Sequence, residues 1–239
     1  MVTAATPNAL EFAFTDLETE WKAILAREAS ASATLLPKWE DSLRTMQVEE
    51  EALRRAGSWT RGAEDMLSVI GEARRELAHS ALLAWLLDPE SRHCIGTRFL
   101  KRLLRGTFPN GTFEDLHRVR VNREVVQADV RADIVIFGRG FTVVIENKVD
   151  ADEGPMQCDR LYQGFASDPG VLFAFLTPDG RTPRSAGVEA QAAFKTISYR
   201  QIIAWLRAAI EEGASKETAG SQGYKTATNY LVTLEKEFA

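Results

Sequence analysis

Residues 131–148 read RADIVIFGRGFTVVIENK. Two short runs rich in β-branched residues flank Gly138-Arg139-Gly140, the pattern of two strands joined by a tight turn. Residues two apart on a strand share a face, so Glu146 and Lys148 project together and Asn147 points to the other side. A two-residue turn, either Gly138-Arg139 or Arg139-Gly140, sets Asp133 beside residue 144 or 146, on the face of Glu146. A three-residue loop sets it on the wrong face unless a bulge corrects the register. The other face then carries Ile134, Ile136, Val143 and Ile145, an apolar set suited to a core. Asp133, Glu146 and Lys148 are therefore expected to converge from one sheet face. Two adjacent carboxylates suit a hard divalent cation such as Mg²⁺, which activates water and offsets charge on a phosphate. A neighbouring lysine can orient that water or stabilise developing negative charge. The same three residues also describe a solvated face with an ion pair, and the spacing alone does not separate the two readings.

Working outward, residues 119–127 (VRVNREVVQ) read as a preceding strand, and residues 171–177 (VLFAFLT) as a buried central strand without alternation. Residues 193–199 (AFKTISY) form a further strand. Helical periodicity marks 64–89, 96–105, 155–166, 201–210 and 224–238. Asp88-Pro89 ends the first of these, because a residue before proline leaves the α region. Residues 213–223 (GASKETAGSQG) read as a loop, as does TFPNGTFEDL at 107–116. The order is helix, three strands, helix, strand, strand, helix, an α/β or α+β domain. The first 57 residues are separate in character. They read as two helices, the second over 37–55 with Pro37 near its start, and they carry ten acidic and six basic residues. The expected division is a helical extension at 1–57 and a domain at 58–239.

Composition bounds the function. The chain has 239 residues, 45% hydrophobic and 26% charged, with a net charge of -5. It is long enough to bury a sizeable core without metal or disulfide staples, and two cysteines make no disulfide framework. No run of about 18 apolar residues occurs, so no membrane span is expected. MVTAATPNALEFAF lacks the basic and apolar regions of a secretory signal, and a cytoplasmic setting is expected. Bulk charge does not favour nucleic acid, so any such contact is local or helped by a cation. The stretch 98–131 supplies one candidate, with eight basic residues against four acidic. Arg131 belongs to it and adjoins the Asp133 strand.

RADIVIF followed by VVIENK resembles the PD-(D/E)XK nuclease superfamily, whose signature is an Asp at one strand end and Glu-x-Lys on the next. The upstream RRELAHSALLAWLLDPESRHCIG, the preceding REVVQADVRADIVI and the downstream ADEGPMQCDRLYQGF extend the resemblance. Together they are similar to a bacterial and phage-associated branch that pairs a Glu-x-x-His-Ser helix with I-E-N-K and a downstream Gln-x-x-x-x-Tyr. The resemblance covers residues 65–199, with ATNYLVTL matching a C-terminal helix. It implies a restriction-endonuclease-like αβββαβ core with a central mixed sheet, an N-terminal helical extension and C-terminal helices.

It also implies a metal-dependent endonuclease that hydrolyses phosphodiester bonds with Mg²⁺ or Mn²⁺, DNA being favoured over RNA as substrate, in a prokaryotic defence, repair or mobile-element setting. Asp133 and Glu146 match its metal-binding carboxylates, and Glu76 the helical Glu that joins them. Lys148 matches the catalytic lysine and Gln157 the polar residue lining the site. Tyr162 stands in the motif's Tyr position, and His79 and Ser80 follow Glu76 as residues supporting the site or contacting substrate. Ala132 stands where the family's naming proline would be, a position loosely kept in active members. Many such enzymes act as dimers, and a homodimer or a partner bound through residues 1–57 is expected on that ground. A catalytically silent interaction protein on the same fold is the rival reading, against which stands the complete Asp/Glu/Lys set, a costly cluster for a scaffold to keep.

Overall fold

A computed structural model of the chain describes residues 8–58 and 62–239. It divides into two compact units, Met1–Arg61 and Gly62–Ala239. The first is one helix, α1 (Asn8–Arg55), rather than the two expected, with Pro37 inside it. The reason is compositional. No glycine occurs between Asn8 and Gly57, and Pro37 removes one backbone donor without a second breaker beside it. Glu18–Lys22, Glu50–Arg54 and Glu51–Arg55 pair at i,i+4, in the favoured order of acid before base. Gly57, at φ 68°, ends the run.

The second unit is built on a five-stranded mixed sheet in the order β1-β2-β3-β4-β5. β1 (Arg120–Gln127), β2 (Val130–Gly138) and β3 (Phe141–Asn147) form an antiparallel meander, and β4 (Val171–Thr177) and β5 (Phe194–Ser198) add in parallel. β3 lies in the middle, and all seven of its residues are buried. Gly138 pairs with Phe141, so the turn is Arg139-Gly140. Gly140, at φ 76°, supplies the left-handed conformation that a two-residue hairpin needs.

One side of the sheet is covered by α3 (Glu76–Leu87), α4 (Arg98–Thr107), α7 (Tyr199–Gly213) and α9 (Gln222–Phe238). Their apolar residues join Ile134, Ile136, Val143 and Ile145 in the larger core. The other side is covered by α5 (Gln157–Gly164) and α6 (Val188–Ala193), where Val135, Val144, Cys158, Leu161, Phe165 and Phe175 make a smaller core.

Two further sequence expectations are corrected. The helix read over 64–89 is two helices, α2 (Met66–Val69) and α3, because Gly71 takes φ 74° and turns the chain between them. That break puts Glu76 at a helix start. The loop read at 213–223 contains α8 (Lys216–Gly220), held by reciprocal Ser215–Thr218 bonds, a capping box formed with Thr in place of Glu or Gln.

Candidate active site

β3 ends where the chain leaves the sheet, and the charged residues gather there. Lys148 Nζ lies 3.0 Å from Glu146 Oε1 and 3.9 Å from Glu76 Oε2. Gln157, the first residue of α5, donates from Nε2 to the same Glu146 Oε1 at 2.5 Å. Its own Oε1 accepts from the Gly154 amide at 3.1 Å, which ties the preceding loop to the site. Asp133 Oδ2 accepts the Asn147 amide at 2.8 Å across the hairpin. Glu76 reaches from the start of α3. Its Oε1 accepts the amides of Val149 at 2.8 Å and Ala151 at 3.2 Å, so it organises the segment leaving β3 and leaves Oε2 facing Lys148.

The electrostatics follow from this crowding. Glu146 has no exposed surface, and its Oε2 has no hydrogen-bond partner. Burial first, then the charge of Asp133, push its carboxyl up to about 8, against the pull of Lys148. Asp133 is raised too, mainly by burial, although the Asn147 amide and Lys148 oppose the rise. For Lys148, burial works against the charge, but Glu146, Glu76 and Asp133 outweigh it and hold its pKa above the usual lysine value. The lysine is therefore an ammonium group near neutral pH, suited to donating hydrogen bonds and stabilising negative charge rather than to accepting a proton.

The donor set fits a divalent cation through two carboxylates. Glu146 Oε2 is buried and unpartnered, and Asp133 stands close enough to raise the Glu146 pKa. A cation would relieve both strains, and Mg²⁺ takes one or two carboxylates beside water and phosphate oxygens. Among the described residues, no group of three His, Cys, Asp or Glu side chains is arranged to hold a metal. Glu76 does not complete a cage with the other two.

The supporting residues fall on both sides of the sheet. Ser80 Oγ lies 3.1 Å from Asn147 Nδ2, on the larger-core side. His79 is fully buried and bridges Tyr230 Oη, 2.9 Å from Nδ1, and the Ala73 carbonyl, 2.8 Å from Nε2. Burial lowers its pKa. It fixes the start of α3 against α9 and points at no carboxylate of the site. Tyr162 packs on Phe173 in the smaller core. Arg131 pairs with Glu124 at 3.0 Å.

His93 and Cys94 form no metal site. His93 bonds the Asp88 carbonyl and the Ile95 amide. Glu153, just past the strand end, is a clamp on the loop at 181–185. It accepts the amides of Arg184 and Ser185, the Ser185 hydroxyl and the Arg181 guanidinium.

Sequence reasoning missed Glu124. The Gln127–Val130 pair closes a two-residue turn and sets Glu124 across from Asp133. Two acids opposite one another weaken a strand pair. Glu124 also takes φ 54°, its Oε1 is buried without a partner, and its charge raises the Asp133 pKa. At this point the ribbon changes faces. Ile134 and Ile136 belong to the larger core, but Val130 and Ala132 to the smaller one. The left-handed residue thus bends β1 and β2 over α5 and sets the Glu124 charge near Asp133. The tight Ala128-Asp129 turn was the sequence signal that could have found it.

A mixed α/β sheet with helices on both faces and this charged set at the end of its central strand is a restriction-endonuclease-like architecture. Residues 64–231 match the PD-(D/E)XK nuclease superfamily, more than half of the chain, and the chain belongs to that superfamily. Neither the curated proteins nor the solved structures give a match.

Proposed function

We propose that this protein is a divalent-cation-dependent endonuclease that hydrolyses DNA. The observation that supports it best is the buried, unpartnered Glu146 Oε2 beside Asp133, with Lys148 3.0 Å from the other Glu146 oxygen. A cation such as Mg²⁺ or Mn²⁺ bound by Asp133 and Glu146 supplies Lewis acidity toward the phosphodiester and offsets its charge. Glu76 acts on the site through Lys148, whose Nζ lies 3.9 Å from its Oε2.

Lys148 donates a hydrogen bond to the attacking water and stabilises negative charge growing on the phosphate. Gln157 and Lys148 together hold Glu146 by one oxygen, which keeps the other directed into the site. Tyr162 and Ser80 support the two faces, and Arg131 lies near enough to the site strand to meet a phosphate. The exposed Leu17, Trp21, Trp39 and Leu43 of α1 offer a surface for a second copy or a partner. Among the described residues, no helix is long and apolar enough to cross a membrane. The reading includes a cytoplasmic setting and a role in defence, repair or mobile elements.

The test is a substrate panel of supercoiled plasmid, linear duplex, single-stranded DNA and RNA, each with Mg²⁺, Mn²⁺ or EDTA. The reading expects cation-dependent cutting of DNA, including closed plasmid. Cutting of RNA alone would reassign the substrate, and no cutting of any substrate would favour the silent interaction protein.

A further inference from the structure

The basic stretch at 98–131 does not form one surface. Arg131 turns to Glu124, and Arg123 to the Leu77 carbonyl. α4 behaves differently. Phe99, Leu100, Leu103 and Leu104 enter the larger core, so Arg98, Lys101, Arg102 and Arg105 fall on its outer face. With His117 and Trp205 they line an open cleft of about 760 Å³, in which Glu212 is the one acid among the described residues. This local excess of positive charge stands in a chain whose net charge is -5.

Two of the four cations are unspent, whereas Arg98 donates from Nη1 to the Ile95 carbonyl at 3.2 Å. The side chains of Lys101 and Arg105 have no partner among the described residues. Arg102 meets Glu212 at 2.9 Å, yet its Nε is buried without an acceptor. Trp205 forms one wall. A Cβ at Gly106 would come 2.3 Å from its ring, so the glycine is what lets the indole lie against α4.

The spacing indicates the kind of anion. Arg98 to Arg105 spans about 10 Å along a helix at about 1.5 Å per residue. Successive phosphates of one strand advance about 3.4 Å along a duplex axis, so the row matches a run of phosphates better than a single one. A basic groove beside an aromatic ring is also the usual equipment for a single strand.

We infer that this cleft binds the phosphate backbone of a nucleic-acid strand, at a place separate from the catalytic carboxylates. α4 and α7 cover the larger-core side, whereas Val135 and Val144, which share the carboxylates' face, lie in the smaller core. The cleft is therefore a second anchor, across the sheet from the chemistry. The inference relies on the nuclease reading only for the identity of the polyanion.

The test uses the full chain in EDTA with a fluorescein-labelled 20-nucleotide single strand, following anisotropy over a salt series. The double variant Lys101→Glu/Arg105→Glu alters two exposed, unpartnered side chains, and Lys195→Glu/Lys216→Glu controls for net charge. The cleft variant is expected to bind at least about tenfold more weakly and to lose about 1.4 from the magnitude of the log–log salt slope, at about 0.7 per phosphate contact. The control is expected to stay within about twofold. Equal affinity and slope in the cleft variant, or no binding by the wild type at low salt, would overturn the inference. So would a slope near one with full displacement by millimolar inorganic phosphate, the behaviour of a single-phosphate site.

Plasmid cleavage separates the two readings. Cleft-dependent binding without cleavage by the wild type sinks only the nuclease reading. Cleavage with binding unaffected by the cleft variant sinks only the cleft.

Discussion

The Tyr199 hydroxyl donates to Asn147 Oδ1 at 2.9 Å on the larger-core side of β3, away from Glu146 and Lys148. Both groups are fully buried, and Asn147 Nδ2 also donates to Ser80. The residue between the two charged ones is thus fixed from behind, and the strand end cannot rotate without breaking these bonds. Tyr199→Phe leaves the Asn147 acceptor unpaired in the core, at a cost of about 1–3 kcal/mol. Urea unfolding should show that loss, together with a lowered turnover. Unchanged stability would mean that Asn147 is not held this way.

Glu124 gives a prediction of opposite sign. Glu124→Gln removes a like charge facing Asp133 and keeps the shape. In EDTA the variant should melt at the same temperature as the wild type or higher. The rise in melting temperature on adding Mn²⁺ should be smaller than in the wild type, because a cation gains less at a less negative site. An equal Mn²⁺ shift in both proteins would remove Glu124 from the site.

How far the site was legible follows from which rules govern each residue. Asp133, Glu146 and Lys148 could be placed because strand alternation and a two-residue turn fix their parity. The structure uses the Arg139-Gly140 turn, one of the two alternatives. Glu124 was not legible as a bend, because a left-handed glutamate carries no composition signal of the kind that glycine or asparagine gives. The break expected at Pro37 does not occur in α1, where a single proline did not outweigh a long glycine-free run. Glu153 was not legible as a clamp, because its partners lie about 30 residues ahead, at Arg181, Arg184 and Ser185.

Glu153 also predicts a pH dependence. Burial opposes its charge, but the Ser185 and Arg184 amides, Arg181 and the Ser185 hydroxyl prevail and hold its pKa at about 2. A carboxyl depressed in the folded state contributes stability that is present above its ordinary value near 4.5 and lost as pH falls toward 2. The contribution is on the order of 3 kcal/mol. Glu153→Gln should therefore be less stable than the wild type at pH 7, and the gap should narrow as pH falls from about 4.5 toward 2. A gap that stays constant across that window would show that the clamp does not depend on charge.

The central claim is that Glu146 and Lys148 carry cation-dependent phosphodiester cleavage. The most direct measurement is the single-turnover rate of supercoiled plasmid cleavage by the wild type, Glu146→Ala and Lys148→Ala, in Mg²⁺ and in EDTA. Circular dichroism melts would establish that all three proteins are folded. The account predicts cutting by the wild type only in Mg²⁺, and rates lower by about 10²-fold or more in each variant, the scale at which removing one electrostatic stabiliser is felt. A folded Lys148→Ala or Glu146→Ala variant that cuts at the wild-type rate, or a wild type that cuts equally well in EDTA, would contradict it.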